Sequence, residues 1–266
     1  MAIGLHSTIL GAAAAALCLA AAGSALAQAK APEAGRRPVE DATPTRGGTE
    51  VGLYFSITAM ATAGRPDEPV NRSTGALSGH TAREGDLNTG IAFAPNIAVG
   101  YSLARWGSPF RADVEYTIRG KTFYSADPML SNGNAPFTTK LDGVIKTQSL
   151  LFNVYLDTDR FPIFGFNPFL NIGAGVGFTV GEAQRMTNGA GQLERVDHRN
   201  TNFAYALGFG AAKEFKPGWN LDLRYRYVDL GEVEFGPTTS AGGTRSHIVI
   251  ERNVAHELGF GFRYSF

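Results

Sequence analysis

Nine charged residues in this 266-residue chain sit at alternate positions of otherwise apolar stretches. Arg111, Asp113, Glu115 and Arg119 lie in "RADVEYTIRG", Asp222, Arg224 and Arg226 in "LDLRYRY", and Glu257 and Arg263 in "ELGFGFRYSF". Guanidinium and carboxylate groups form short, often bidentate pairs. Two kinds of chemistry follow from that set. Enclosed together, the nine residues form a salt-bridge network. Reached by water, they line a narrow polar path for small solutes.

Catalytic constellations are thin by comparison. The histidines are His6, His80, His198, His247 and His256, and no spacing matches a zinc site such as H-E-x-x-H. His256-Glu257 lacks the second histidine. Ser246, His247 and Glu251 are the one nearby trio for nucleophilic attack on a lipid, but adjacent residues of a strand point to opposite faces. "GAGVG" at 173–177 lacks the last glycine of a dinucleotide fingerprint and its strand–turn–helix setting. The reading is therefore a non-enzyme with no catalytic, cofactor-binding or metal residues. Lys and Arg total 24 against 24 Asp and Glu, which argues against nucleic acid as a partner.

The elements that position the nine charges have period two. Alternation runs through 51–60, 91–104, 110–119, 149–157, 170–181, 203–210, 219–228 and the terminal "HELGFGFRYSF". Each run reads as a strand with one bulky apolar face. Pro95 interrupts the second run and predicts an irregularity, because proline gives no N–H to a ladder. The connections alternate long, short, long, short, long, short, long; the short ones are "RWGSP", "TDRFPIFGFN" and "KPG". That is the layout of an all-β, eight-stranded antiparallel up-and-down transmembrane β-barrel, with long loops outside and short turns in the periplasm.

The two faces decide which solvent each meets. Gly173, Gly175, Gly177, Gly208 and Gly210 share a face and would make a poor water-facing surface. Turned inward, they leave room for the charged side chains, and the apolar set meets lipid. Closure follows, because an unpaired strand edge in hydrocarbon costs several kcal/mol per group; the first and eighth strands must pair. Trp106, Phe110, Phe161, Phe164, Phe166, Phe169, Phe215, Trp219 and Phe266 fall near the short turns, as an interfacial aromatic girdle would.

Upstream, "ILGAAAAALCLAAAGSALA" ends in an A-x-A pattern before Gln28 and reads as a signal peptide over 1–27 that is cleaved on export. It contains the one cysteine, Cys18, so the mature chain needs no disulfide. Residues 28–49, rich in Pro, Ala and charge, read as a disordered periplasmic segment, and 50–266 as the barrel.

The strand segments "RADVEYTIRG", "NVYLD", "GAGVGF" and "LRYRYVDLG", in that order, with the closing "ELGFGFRYSF", resemble the eight-stranded outer-membrane β-barrel family. That family includes the opacity-type surface proteins and the transmembrane domain of outer membrane protein A. The resemblance covers about residues 50–266 and is to the family's short members, those without a peptidoglycan-binding domain. It implies that Phe262, Tyr264 and Phe266 form the signal read by the barrel-assembly machinery. It also implies residence in the Gram-negative outer membrane and contact with its lipid. A structural, envelope or adhesion-type role is expected, with an extracellular ligand met by the outer loops. The alternatives are a narrow porin-like channel for small solutes or hydrophobic molecules and, behind it, a lipid-modifying barrel enzyme.

Overall fold

A computed structural model describes residues 52–67, 69–72, 81–82, 90–130, 139–158, 162–188, 191–193, 196–239 and 245–266. The expected signal peptide and N-terminal segment lie outside the described residues, as do Phe161 and His80.

Eight antiparallel strands close into a barrel. They are β1 (Leu53–Pro66), β2 (Ile91–Phe93 and Asn96–Ser102), β3 (Phe110–Ile118), β4 (Thr139–Asp157), β5 (Asn167–Asn188), β6 (Val196–Lys216), β7 (Trp219–Asp229) and β8 (Asn253–Ser265). Each pairs with the next, and β8 returns to β1 in register from Tyr54↔Ser265 to Pro66↔Asn253. Among the described residues no unpaired edge is left in the barrel wall, as hydrocarbon requires. Pro95 does break β2: the ladder lapses at Ala94-Pro95, while Pro95 still accepts a hydrogen bond from Ile118 N.

Alternation sets the two faces. Leu53, Phe55, Ile57, Val99, Val114, Phe152, Leu170, Leu207, Phe209, Leu223, Phe260 and Phe262 are exposed on the outside. Their neighbours in sequence are buried, among them Arg111, Asp113, Glu115, Thr117, Asn153, Arg224 and Glu257. An apolar exterior around a polar interior is the arrangement of a barrel dissolved in lipid.

The connections between strands differ from the reading as simple loops. β4, β5 and β6 run for 19, 22 and 21 residues, about twice the 9–11 that cross a bilayer. The wall therefore continues beyond the membrane. After a break at Arg119–Lys121, Thr122–Leu130 carries β3 onward against β4. A second sheet of Val233–Thr239, Arg245–Ile250 and Pro69–Asn71 forms at the same end. Polar composition hid these strands: once a ladder leaves the membrane, its outer face no longer needs apolar residues, and the period-two signal fades.

At the opposite end the connections are tight. A 3-10 turn, Ala104–Trp106, ends on Gly107 at φ 71°, and Pro217-Gly218 turns with Gly218 at φ 78°.

Candidate functional site

The interior holds the candidate site, and its middle layer is a continuous ionic chain. Arg119 Nε donates to Glu257 Oε1 at 2.7 Å, and Arg226 Nε donates to Glu257 Oε2 at 2.5 Å. The same Arg226 reaches Glu115 with Nη1 and Thr117 Oγ1 with Nη2 at 3.2 Å. Glu115 accepts a further bond from Arg224 Nη1 at 2.7 Å and one from Thr117 at 2.9 Å. Three arginines and two glutamates from β3, the β3 break, β7 and β8 thus form one chain, Arg119–Glu257–Arg226–Glu115–Arg224. Arg226 and Glu257 have no solvent exposure at all. A buried ion needs partners for its polar atoms to offset desolvation; each glutamate here has two arginines, while Arg119 Nη2 and Arg224 Nε have no hydrogen-bond partner among the described residues.

The periplasmic half holds two separate pairs. Arg263 binds Asp222 through two nitrogens at 3.0 and 3.1 Å. Arg111 Nε meets Asp157 at 3.0 Å, while its guanidinium lies 3.9 Å from the centre of the Tyr155 ring and 5.0 Å from that of Phe169. Cations stack on aromatic faces in this way.

Of the nine residues expected in the network, eight are ion-paired and one is not. Asp113 makes no ion pair among the described residues: Tyr54 Oη donates to it at 2.9 Å and Asn153 Nδ2 at 2.8 Å. Asp157 takes the place left open. It lies on the inward set of β4, at the last position of the 149–157 run, and is not one of the nine. Phe169 departs from the expected girdle. It is 2% exposed and packs edge-on to Tyr155 inside the barrel, because Leu170, beside it, takes the outward position. Trp106, Phe164, Phe215, Trp219 and Phe266 are exposed at the periplasmic rim.

The interior glycines make room for specific groups. A Cβ at Gly100 would run into the Tyr54 ring, and one at Gly210 into the Phe169 ring.

Above the ionic chain lies an apolar layer absent from the sequence reading. Leu151, Ala204, Ala206, Val228, Leu230 and Ala255 form one buried cluster. Leu230 enters it from the connection after β7, where Asn202 Nδ2 ties down the backbone by donating to Leu230 O and Glu232 O at 3.3 and 2.6 Å. The hairpin that follows adds buried Val233, Phe235, Ile248, Val249 and Ile250. "HIVIE" was the available signal, an apolar run outside the eight barrel segments.

On the outer surface, Glu234 Oε2 meets His247 Nε2 at 3.0 Å and His198 Nε2 at 3.2 Å, which links the hairpin to β6. Burial disfavours the Glu234 charge, but the hydrogen bonds from His247 and Glu232 and the charge of His198 hold its carboxyl below the usual range. Glu232 is pushed the other way, by burial and by its bond to Glu234. Of the trio considered for lipid chemistry, His247 faces Glu234 and Glu251 pairs with Arg72 at 3.5 Å. Among the described residues no three His, Cys, Asp or Glu are arranged to hold a metal ion.

Phe262 of β8 and Phe266 just after it are exposed, and Tyr264 packs against Trp219 and Phe266 with ring centroids 4.9 and 5.0 Å apart.

A closed wall of eight antiparallel ladders, apolar outside and charged within, defines an outer-membrane β-barrel. The chain matches the family described as outer membrane protein beta-barrel domain over residues 12–266, and it belongs to that family. It is similar to outer membrane protein PagN of Salmonella typhimurium, 22% identical over 71% of this chain and 79% of that one. A candidate adhesin of Rickettsia massiliae is 29% identical over 68% of this chain and 80% of that one. Among solved structures, OprG of Pseudomonas aeruginosa aligns with 15% identity over 82% of this chain and 99% of that one, at a TM-score of 0.49. Neisserial surface protein A aligns with 17% identity over 81% and 97%, at 0.43.

Proposed function

We propose that this protein is a surface-interaction barrel of the adhesion type, with a lumen plugged rather than open and a partner met by its outer strands and hairpin. The observation that carries this reading is the ionic chain Arg119–Glu257–Arg226–Glu115–Arg224. An eight-stranded barrel encloses a space that side chains can fill, and these side chains bond across it. The apolar layer around Leu230 supports the same reading from the outer side. Strands prolonged beyond the bilayer give the outer hairpin a rigid support, the usual setting for binding loops. The candidate adhesin of Rickettsia massiliae favours adhesion over a purely structural role.

Assembly into the membrane is proposed to use Phe262, Tyr264 and Phe266, aromatics at the end of β8 and just beyond it, as the signal for the barrel-assembly machinery. The role is tested by display on a non-adherent Gram-negative host. Adherence to mammalian cells should rise with the intact chain and fall to background when 237–246 is replaced by a short Gly-Ser turn. Equal adherence with and without the protein would refute the adhesion reading.

A further inference from the structure

The turn between β4 and β5 is built unlike its neighbours at the periplasmic end. Ile163 and Phe166 exchange backbone hydrogen bonds of 2.9 and 3.0 Å. Between them Phe164 and Gly165 adopt left-handed backbone, with φ of 53° and 77°. Glycine does so freely. Phe164 is the one non-glycine among the described residues at positive φ, a conformation that bulky side chains rarely adopt. Phe164 is 95% exposed, and Ile163 beside it is exposed as well. A strained backbone that presents apolar groups to water needs a partner to justify it.

The direction of the turn says what that partner is. Lys213 Nζ stands 5.3 Å from the centre of the Phe166 ring, and a Cβ at Gly165 would lie 3.9 Å from it. Lys213 belongs to the outward set of β6, in line with exposed Leu207, Phe209 and Phe215. Phe215 in turn meets Phe262 of β8 edge-on at 6.1 Å. The turn therefore leans over the lipid-facing side of the barrel, and its tip continues the apolar band at the rim.

We propose that this turn is a phospholipid site of the inner leaflet. Ile163 and Phe164 insert among the acyl chains, and Lys213, held against Phe166, binds the headgroup phosphate. Aromatic rings belong at this interface, and a lysine beside them reaches the headgroup layer. The proposal rests on the membrane-barrel reading but is separable from it.

Beyond residue 27 the chain has no cysteine, so Phe164→Cys or Ile163→Cys accepts a single nitroxide label. The protein is refolded into phosphatidylglycerol vesicles, and insertion is confirmed by the heat-dependent shift in gel mobility. Collisions of each label with dissolved oxygen, which concentrates in lipid, are compared with collisions with a water-soluble nickel chelate. The expected result is several-fold greater oxygen exposure at both positions. Ile163→Cys keeps the test free of the strained position. Dominant nickel collisions with the gel shift intact would overturn the proposal and mark the tip as free for a periplasmic protein; loss of the gel shift in the unlabelled wild type would overturn the barrel reading instead. Native mass spectrometry tests the cation: Lys213→Gln should retain several-fold less phosphatidylglycerol, and unchanged retention would overturn the phosphate assignment.

Discussion

Glu115→Gln is the substitution that presses hardest on the ionic chain. Glu115 is 1% exposed and accepts from Arg224, Arg226 and Thr117. The chain of three arginines and two glutamates carries a formal charge of +1; the glutamine raises it to +2 and leaves one neutral carbonyl oxygen where two charged ones served Arg224 and Arg226, with Tyr155 Oη 3.3 Å from Arg224 Nη1. Removing one member of a buried pair costs about 3–5 kcal/mol, because the other charge stays buried without compensation. At about 1.4 kcal/mol per tenfold change, the folding equilibrium constant falls by about two to three and a half orders of magnitude. Adding Arg224→Met returns the cluster to +1. The double variant should recover about 1–3 kcal/mol relative to the sum of the two single variants, the coupling expected of groups in one network. The assay is equilibrium unfolding of the refolded barrel in detergent, followed by tryptophan fluorescence and the gel shift. A loss under about 0.5 kcal/mol for Glu115→Gln, or strict additivity in the pair, would refute the reasoning.

On the outside, Leu223→Lys places a charge in the lipid-facing band and should cost about 2–4 kcal/mol in vesicle unfolding. Gly100→Leu should fail to yield the heat-shifted band, because its Cβ meets the Tyr54 ring and the Ala112 carbonyl. The outer hairpin should depend on pH through Glu234. Its folded value is lowered, so its contribution is complete above the ordinary carboxyl value of about 4.3 and is lost as pH falls through the folded value. Glu232, whose value is raised, takes up its proton first; hydrogen exchange of 233–250 between pH 6 and 3 should show late loosening that Glu234→Gln abolishes.

The barrel was legible because lipid imposes a strict rule on each strand. Bulky residues must alternate with small or polar ones for as long as the strand is in the membrane, and Leu170 to Val180 shows it over eleven residues. The charged partners were legible for the same reason, since Arg111, Glu115, Arg224, Arg226 and Glu257 are the inward members of those runs. Which charge meets which was not legible. Pairing across the lumen depends on shear and side-chain reach, so Asp113 turned to Tyr54 and Asn153 while Asp157 took Arg111. Phe169 could have been placed from its neighbour Leu170; its nearness to a short turn obscured the parity. Outside the membrane the rule lapses. There Thr122–Leu130 and Val233–Thr239 read as loop, and the apolar layer depends on Leu230, which lies in the connection after β7 outside any alternating run.

Charged side chains are proposed to fill the lumen from wall to wall. Single-channel recording of the refolded, detergent-purified protein in planar bilayers at 1 M KCl tests it directly. A sealed lumen predicts a silent membrane at protein levels where the gel shift and vesicle assays confirm insertion. Steps of one reproducible conductance, scaling with the amount of protein inserted, would contradict it and turn the reading toward a channel.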